Sequence, residues 1–232
     1  AIADEPAPVF HKDQYYDAPE NSSVRYEADI ALRKLTTDIV VNGHAYAPKG
    51  GTATQVDATV AVGAHSKTCR VFGDRFWEKS KTSVMTWAAS PPKAFDRMPL
   101  TYERAFGGAE SNVPPNRTPE FFAANPVGRG FIGKDGGVRE GQPLPNIEDP
   151  RHLILRWNDR PQPAGFGFIA RHWQPRLSFA GTYDEAWHQQ RLPLLPNDFN
   201  ERYFNAAHPD LAMGSLFRGG ERVTLTNLSE AG

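Results

Sequence analysis

Alternation of hydrophobic and polar residues is the clearest pattern in this chain. Over residues 56–62 every second position is apolar, which is the period of a half-buried β-strand. A second strand-like run at 69–72 follows a turn-like segment at 63–66, where a glycine opens the turn. The two runs together predict a β-hairpin.

The same alternation recurs nearer the two ends of the chain. Residues 24–33 and 221–228 alternate as half-exposed strands do, and residues 37–41 form a short β-branched run. Residues 1–23 are polar and contain prolines, which is typical of an arm. We therefore expect a polar arm over 1–23 and a single domain over 24–232, truncated at both ends. The expected fold is mainly β, with an antiparallel, sandwich-like core, long ordered loops and a few short helices.

Glycine and proline dominate the segments between these strands. There are 20 of each among 232 residues, which favours turns and fixed loops over long helices. The predicted short helices cover 101–106, 118–124, 183–191 and 198–206, and an edge strand is predicted over 152–157. The third helix is expected to start at a capping box formed by Thr182 and Glu185.

Composition and charge exclude several kinds of partner. The formal net charge is −1, so no global basic field points to nucleic acid or to an anionic membrane. No apolar run is long enough to span a bilayer, and residues 1–9 lack the basic start of a secretory signal. Cys69 is the single cysteine, which excludes an internal disulfide and a cysteine metal cluster.

No catalytic set is recognisable in the sequence. Residues 128–133 match the letters of a dinucleotide-binding glycine motif, but their surroundings lack the required strand and helix, so a tight turn is favoured. No nucleophile elbow occurs, no two histidines have metal-binding spacing on one helix, and neighbouring carboxylates such as Glu148 and Asp149 point apart. We expect no enzyme activity, no cofactor and no metal.

Arginine and aromatic residues are the remaining candidates for function. Most of these residue types are enriched where proteins bind proteins, so as a set they predict a partner-binding surface. Nine residues carry this prediction: Arg97, Tyr102, Glu103, Arg104, Phe106, Arg129, Phe131, Trp173 and Arg176. The alternative is that they pack the irregular half of the domain, and for any one residue taken alone this alternative is favoured.

Several blocks of the sequence resemble those of a known family. The central block is Arg97-Met98-Pro99-Leu100-Thr101-Tyr102-Glu103-Arg104-Ala105-Phe106-Gly107-Gly108. Further blocks lie at 72–77, 125–131, 144–150, 163–167, 173–176, 180–187, 198–199 and 203–207. Their order and spacing agree with the family from about Gly43 onwards, whereas the N-terminal part matches weakly. Below, residues 97–108 together with 125–131 are called the arginine-rich stretch.

The family is a domain of unknown function encoded in type VI secretion gene clusters of Gram-negative bacteria, beside spike and PAAR-like effector genes. The resemblance implies a cytoplasmic adaptor or chaperone that binds an effector protein, its PAAR-like domain or the spike protein. It implies no reaction and no catalytic residue. Contact with the partner would use an exposed strand edge or an arginine–aromatic patch, and both stay open.

Two other functions remain as alternatives to an adaptor. The first is a hydrolase acting on an envelope or sugar substrate, which a deep pocket joining Glu103, Asp184 or His172 would favour. The second is a structural component of the secreted spike, which would be found in the culture supernatant.

Overall fold

The computed structural model describes residues 8–34, 36–80, 87–111, 113–134 and 136–229. Strands hold 25% of the residues and helices 11%, which confirms a mainly β fold. The strands are β1 (Gln14–Tyr15), β2 (Val24–Tyr26), β3 (Thr37–Asp38), β4 (His44–Tyr46), β5 (Gln55–Val62), β6 (His65–Phe72), β7 (Trp77–Lys79), β8 (Trp87–Ala89), β9 (Arg97–Pro99), β10 (Phe106–Gly107), β11 (Arg129–Gly130), β12 (Ile147–Glu148), β13 (Ala212–Met213) and β14 (Val223–Thr226). Helix α1 covers Glu185–Gln190, and short 3-10 helices cover Pro48–Gly50, Tyr102–Arg104, Arg176–Phe179, Glu201–Phe204 and Pro209–Leu211. Because α1 has six residues, the described ranges contain no helix long and apolar enough to cross a bilayer.

The predicted hairpin is present and forms the centre of the largest sheet. Strands β5 and β6 pair antiparallel, and the strand order is β12-β6-β5-β14. Ala58 and Cys69 are fully buried on one face. Thr59 and Thr68 lie on the opposite face and share a hydrogen bond of 2.8 Å. The sheet therefore buries one face and leaves the other partly exposed, as the alternating sequence requires.

The remaining strands of the described ranges form two-stranded pairs. Strands β1–β2, β3–β13, β4–β9 and β7–β8 are antiparallel, and β10–β11 is parallel. The main core joins the buried face of the large sheet to Tyr102, Phe166, Trp173 and Leu211, which come from loops and 3-10 helices. The layer that covers the sheet is thus built from short pairs and ordered loops.

Part of the segment predicted as a polar arm is attached to the domain. Strand β1 pairs with β2, and the buried Ser23 donates through its N–H and hydroxyl to the Glu103 carboxylate at 2.5 and 2.9 Å. The strand predicted over 24–33 ends with β2. Beyond it, the N–H of Ala28 donates to the Asp13 side chain at 2.8 Å instead of to a neighbouring strand.

Three of the four predicted helices are present, each as one short helix. Helix α1 is capped by Asp184, whose carboxylate accepts from the Trp187 N–H at 2.8 Å. Thr182, which the sequence predicted as the cap, donates its hydroxyl to Asp198 at 2.8 Å. The cap prediction is therefore wrong, because a carboxylate distant in the sequence binds the threonine and a nearer carboxylate takes its place.

The helix predicted over 118–124 is absent. Its backbone pairs with a neighbouring segment: the Glu110 N–H donates to the Glu120 carbonyl at 2.8 Å, and the Phe122 N–H donates to the Gly108 carbonyl at 3.0 Å. This non-local pairing satisfies the backbone groups that a helix would have used.

The edge strand predicted over 152–157 is also absent. The Ile154 N–H donates to the Glu148 carboxylate at 2.8 Å, and the Asp159 carboxylate accepts from the next two N–H groups at 2.9 and 2.8 Å. Carboxylates therefore satisfy the donors that a strand partner would otherwise take.

Candidate functional site

The arginine-rich stretch is anchored in the main core. Tyr102 begins a 3-10 helix, and its ring meets the ring of Trp173 edge to face with 5.7 Å between centroids. Both side chains are almost fully buried. This arrangement is favourable for aromatic packing, so both residues stabilise the fold from inside.

A buried amide joins two of the predicted arginines. Asn146 is fully buried, and its Oδ1 accepts from Arg104 Nη1 at 3.1 Å and from Arg129 Nη1 at 3.2 Å. Its Nδ2 donates to the Phe72 carbonyl and to the Asp74 carboxylate, both at 3.1 Å. The amide thereby uses its two donors and both acceptor positions, and both arginines are fixed to the domain.

Arg129 has a second anchor. Its Nε donates to the Glu103 carbonyl at 2.9 Å. Burial lowers the pKa of Arg129, and the neighbouring charge of Arg104 lowers it further, but a guanidinium keeps its charge at physiological pH. Arg104 and Arg129 therefore stabilise the fold as charged side chains.

The two glycines at the end of the central block are required by close backbone packing. Gly107 and Gly108 have φ of 148° and 95°, which other residues rarely adopt. A Cβ on Gly107 would lie 2.1 Å from the Asn125 carbonyl oxygen, and one on Gly108 would lie 2.3 Å from the Gly128 carbonyl oxygen. Asn125 in turn donates to the Tyr102 carbonyl at 2.8 Å. The block is thus a packing motif.

The structure separates the nine predicted partner-binding residues. Four have buried side chains: Tyr102, Phe106, Trp173 and Arg176. Four are half-buried, namely Glu103, Arg104, Arg129 and Phe131, and Arg97 is exposed. The expectation of one surface made of all nine is corrected for the buried four, because side chains inside the core do not reach a partner.

Arg176 shows how a cation can be a core residue. Its Nη2 lies 2.7 Å from the Glu27 carboxylate. Its remaining donors reach the Tyr203 carbonyl at 2.7 and 2.9 Å and the Ile169 carbonyl at 2.5 Å. A buried charge that is paired and hydrogen-bonded in this way is a structural anchor.

A groove of three compartments crosses another part of the surface. The wide compartment has a volume of 670 Å³ and is lined by the 3-10 helices Arg176–Phe179 and Glu201–Phe204. The middle compartment has 270 Å³ and the end compartment 280 Å³. The first two share Ile169, Pro175 and Pro209, and the last two share Asp149, His152, Gln162, Pro163 and His208. Because they share these wall residues, the three compartments adjoin one another, and together they are called the groove.

A cluster of charged groups lies beside the middle and end compartments. The buried Lys67 places its Nζ 3.3 Å from His208 Nε2 and 3.6 Å from Asp210 Oδ2. Arg151 joins the two carboxylates, with its Nη2 2.8 Å from Asp210 Oδ2 and 2.7 Å from Asp149 Oδ2. Its hydrogen bonds lower the pKa of Asp149 to about 2. Two cations and two anions therefore surround one imidazole.

His208 is held neutral by these surroundings. Burial lowers the pKa of His208 to about 4, the Lys67 charge acts in the same direction, and Asp210 opposes it. Its Nδ1 accepts from the Asp210 N–H at 3.2 Å, and Lys67 faces the other ring nitrogen. The Asp210 carboxylate lies 3.8 Å from Nδ1, but burial and the positive charge of Lys67 outweigh its attraction for a second proton. Across the described ranges, no three His, Cys, Asp or Glu side chains are grouped to hold a metal ion.

The match to known proteins comes from a family comparison. A family model described as "Uncharacterized protein conserved in bacteria (DUF2169)" matches residues 1–232. The chain belongs to this family. The DUF2169 match spans both the arginine-rich stretch and the segments that build the groove. A search of the curated proteins and a search of the solved structures each found no match.

The groove and its charged cluster escaped the sequence analysis because their residues are far apart in the chain. Asp149 and His208 carry no local pattern that marks them. Lys67 does carry one: it shares the inward phase of β6 with Cys69 and Val71, all three of which are buried. A charged residue at an apolar position of an alternating strand indicates a buried ion pair.

Proposed function

We propose that this protein is a non-enzymatic adaptor or chaperone that binds a type VI secretion effector, or its PAAR-like domain, and helps load it onto the spike. The observation that carries the binding role is the groove of three adjoining compartments. The class of partner comes from the sequence resemblance in the arginine-rich stretch and the other blocks.

The walls of the groove suit a polypeptide. The wide compartment of 670 Å³ already falls in the range of roughly 300–1,000 Å³ typical of small-ligand pockets, and the other two extend it in length. Pro163, Pro175 and Pro209 give rigid apolar walls. The side-chain amides of Gln162 and Gln174 make no hydrogen bond in the described part of the chain. Such amides match the N–H and C=O groups of an extended main chain.

The arginine-rich stretch supports this role by fixing the groove. Tyr102 packs on Trp173, and the next residue, Gln174, donates its N–H to the Ala123 carbonyl at 2.9 Å. Arg176, two residues further, is tied to Glu27. One wall of the groove is therefore anchored at several points. A preorganised wall loses little conformational entropy on binding, which strengthens the complex.

In the described part of the chain, no hydrogen bond or ion pair joins the three residues suggested for a hydrolase. Glu103 accepts from Ser23, and Asp184 caps α1. His172 is exposed and lies 6.1 Å from the Trp173 ring. Burial raises the pKa of the Cys69 thiol to about 12, so it is not a thiolate at neutral pH. These observations favour binding over hydrolysis.

The direct test is co-expression with the effector encoded beside this protein, followed by pull-down and a secretion assay. We expect the effector to be captured, and to become insoluble or unsecreted when the gene for this protein is deleted. An effector that stays soluble and is secreted normally in the deletion strain would overturn the proposal.

The same cultures distinguish the alternatives. A spike component would appear in the supernatant together with the effector, whereas an adaptor would remain with the cells. Release of soluble fragments from purified cell envelope by the purified protein would support a hydrolase.

A further inference from the structure

We infer that the partner segment held in the groove is an extended acidic stretch of polypeptide, whose carboxylates pair with Arg202 at the wide compartment and Arg160 at the end compartment. The inference rests on the proposed function, because it states the chemistry of the partner that the adaptor would hold. The inference follows from comparing the carboxylates of the groove walls, which have cationic partners, with two arginines there that form no ion pair among the described residues.

The carboxylates of the groove walls already have partners. Glu201, in the wide compartment, lies 3.4 Å from Arg33 Nη1. Asp149, which lines both smaller compartments, lies 2.7 Å from Arg151 Nη2. Neither carboxylate needs a cation from a ligand, so the groove offers little to a basic segment.

Arg202 is a cation without such a partner. Its backbone N–H is fixed by the Asn200 side chain at 3.0 Å, and its guanidinium carbon lies 5.9 Å from the centre of the Phe179 ring. Its side chain meets no carboxylate within 4 Å in the described part of the chain. A guanidinium at the mouth of a compartment, with its fork of donors open, is suited to a carboxylate.

Arg160 presents a similar charge at the other end of the groove. Its guanidinium donates to the carbonyls of Ile132, Trp157 and Asp159, the last two at 3.3 and 3.0 Å. Carbonyl oxygens hold the group in place without cancelling its charge. Burial lowers the pKa of Arg160, while the charges of Asp159 and Glu120 raise it. Neither carboxylate forms an ion pair with it within 4 Å.

The space between these two arginines favours polypeptide over nucleic acid. There the charges of Arg151 and Asp149 balance, and the walls offer prolines and the free amides of Gln162 and Gln174. A chain with a phosphate at every unit needs a continuous row of cations. A polypeptide that carries carboxylates at a few positions needs cations only at those positions.

The test uses the full chain and three fluorescent probes at low salt. The first is a short peptide of alternating Glu and Thr, the second is the matched peptide of Lys and Thr, and the third is an oligo-dT of similar length. Fluorescence anisotropy is expected to show binding of the Glu peptide only. Equal binding of the Lys peptide, or tighter binding of oligo-dT, would overturn the inference.

Two variants locate the binding. Arg202→Glu is expected to weaken the Glu peptide by roughly tenfold or more, the loss of about 1.4 kcal/mol expected for one charged contact. Arg139→Glu makes the same change of charge at an exposed residue outside the groove, and is expected to leave binding unchanged. An equal loss in both variants would mean that only net charge matters. Matching melting curves confirm that both variants are folded.

The pull-down with the natural effector separates this inference from the proposed function. If the wild-type protein and Arg202→Glu capture the effector equally well, the adaptor role stands and the acidic-segment inference is wrong. If the wild-type protein captures no effector, the proposed function fails, whatever the peptides show.

Discussion

In the arginine-rich stretch, Arg104 and Arg129 direct their guanidinium groups onto the buried amide of Asn146. In the groove, Arg202 forms no ion pair with any carboxylate of the described residues, and its guanidinium carbon lies 5.9 Å from the centre of the Phe179 ring. The residue types are the same, but the first two arginines hold the fold together and the third faces solvent. The comparison shows that a high density of arginine and aromatic residues indicates which chemistry is present. The burial of each side chain together with its internal partners decides whether that chemistry is structural or available to a ligand.

A carboxylate buried close to Asn146 in the sequence differs in the same way from a carboxylate of the groove. Glu148 is buried against Arg75, which also donates to the Pro145 carbonyl at 2.9 Å. In the groove cluster, Asp149 pairs with an Arg151 whose side chain is 62% exposed. Solvent screens the second pair and not the first. We therefore expect changes in the buried network to act on stability, and changes in the groove to act on binding and on pH response.

The largest expected effect comes from the buried ion pair. Glu148→Ala removes the carboxylate and leaves Arg75 charged and without its partner in the core, so we expect a loss of about 3–5 kcal/mol in the free energy of unfolding. It also removes the acceptor for the Ile154 N–H. Urea unfolding followed by tryptophan fluorescence measures the loss.

A matched variant separates charge from hydrogen bonding at this position. Glu148→Gln keeps an acceptor of similar shape and is expected to cost less than Glu148→Ala. If both variants lose the same small amount of unfolding free energy, below about 1 kcal/mol, the buried ion pair is worth no more than an exposed salt bridge. The contrast between this pair and the ion pairs of the groove would then be wrong.

The next largest effect is expected at Asn146. Asn146→Ala leaves Arg104 and Arg129 without their shared acceptor and the Phe72 carbonyl without its donor. Unsatisfied buried groups cost about 1–3 kcal/mol each, with partial relief from water, so we expect a loss of about 2–4 kcal/mol. Thermal unfolding checks this. A variant as stable as the wild type would show that the two arginines are held by other contacts and are freer for a partner.

The charged cluster beside the groove is expected to make the stability of the protein depend on pH. The pKa of His208 is about 4 in the folded chain and near 6.5 when unfolded. Between these values the unfolded chain binds the proton and the folded chain does not. Stability therefore falls as pH drops from 6.5 towards 4, by up to about 3 kcal/mol, and this contribution changes no further below 4.

His208→Asn isolates this contribution. Asparagine keeps an acceptor for the Asp210 N–H, which His208 Nδ1 provides at 3.2 Å, but does not titrate. We expect the difference in unfolding free energy between wild type and variant to change across pH 4–6.5 and to be flat above pH 7. The lowered pKa values of Asp149 and Asp210 act in a lower window, below 3.8. A difference that is constant throughout would mean that folding does not lower the pKa of His208, because the folded and unfolded chains would then bind the proton equally.

The strands were predicted well where the local sequence pattern decides the structure. The groove was not predicted. The hairpin of β5 and β6 follows from the alternation over 56–62 and the strand-like run at 69–72, because a period of two fits one buried face. The helix predicted over 118–124 failed because its backbone pairs with Gly108 and Glu110, which a local pattern does not reveal. The burial of Arg176 against Glu27 depends on a contact between distant segments, and so does the groove. The sequence alone therefore identified which kinds of side chain matter, but not which of them face the core and which face solvent.

The smallest changes in stability are expected when one arginine of each region is replaced by alanine, and this pair of variants compares the two regions directly. Arg104→Ala removes one guanidinium bond to Asn146 and is expected to cost about 1 kcal/mol of stability. Arg202→Ala removes an exposed side chain that forms no ion pair in the described part of the chain, and is expected to change stability by less than about 0.5 kcal/mol. Effector pull-down should give the opposite order, with Arg202→Ala capturing less effector than Arg104→Ala. If Arg104→Ala instead keeps full stability and loses capture, the arginine-rich stretch contacts the partner directly, and the groove is not the main site.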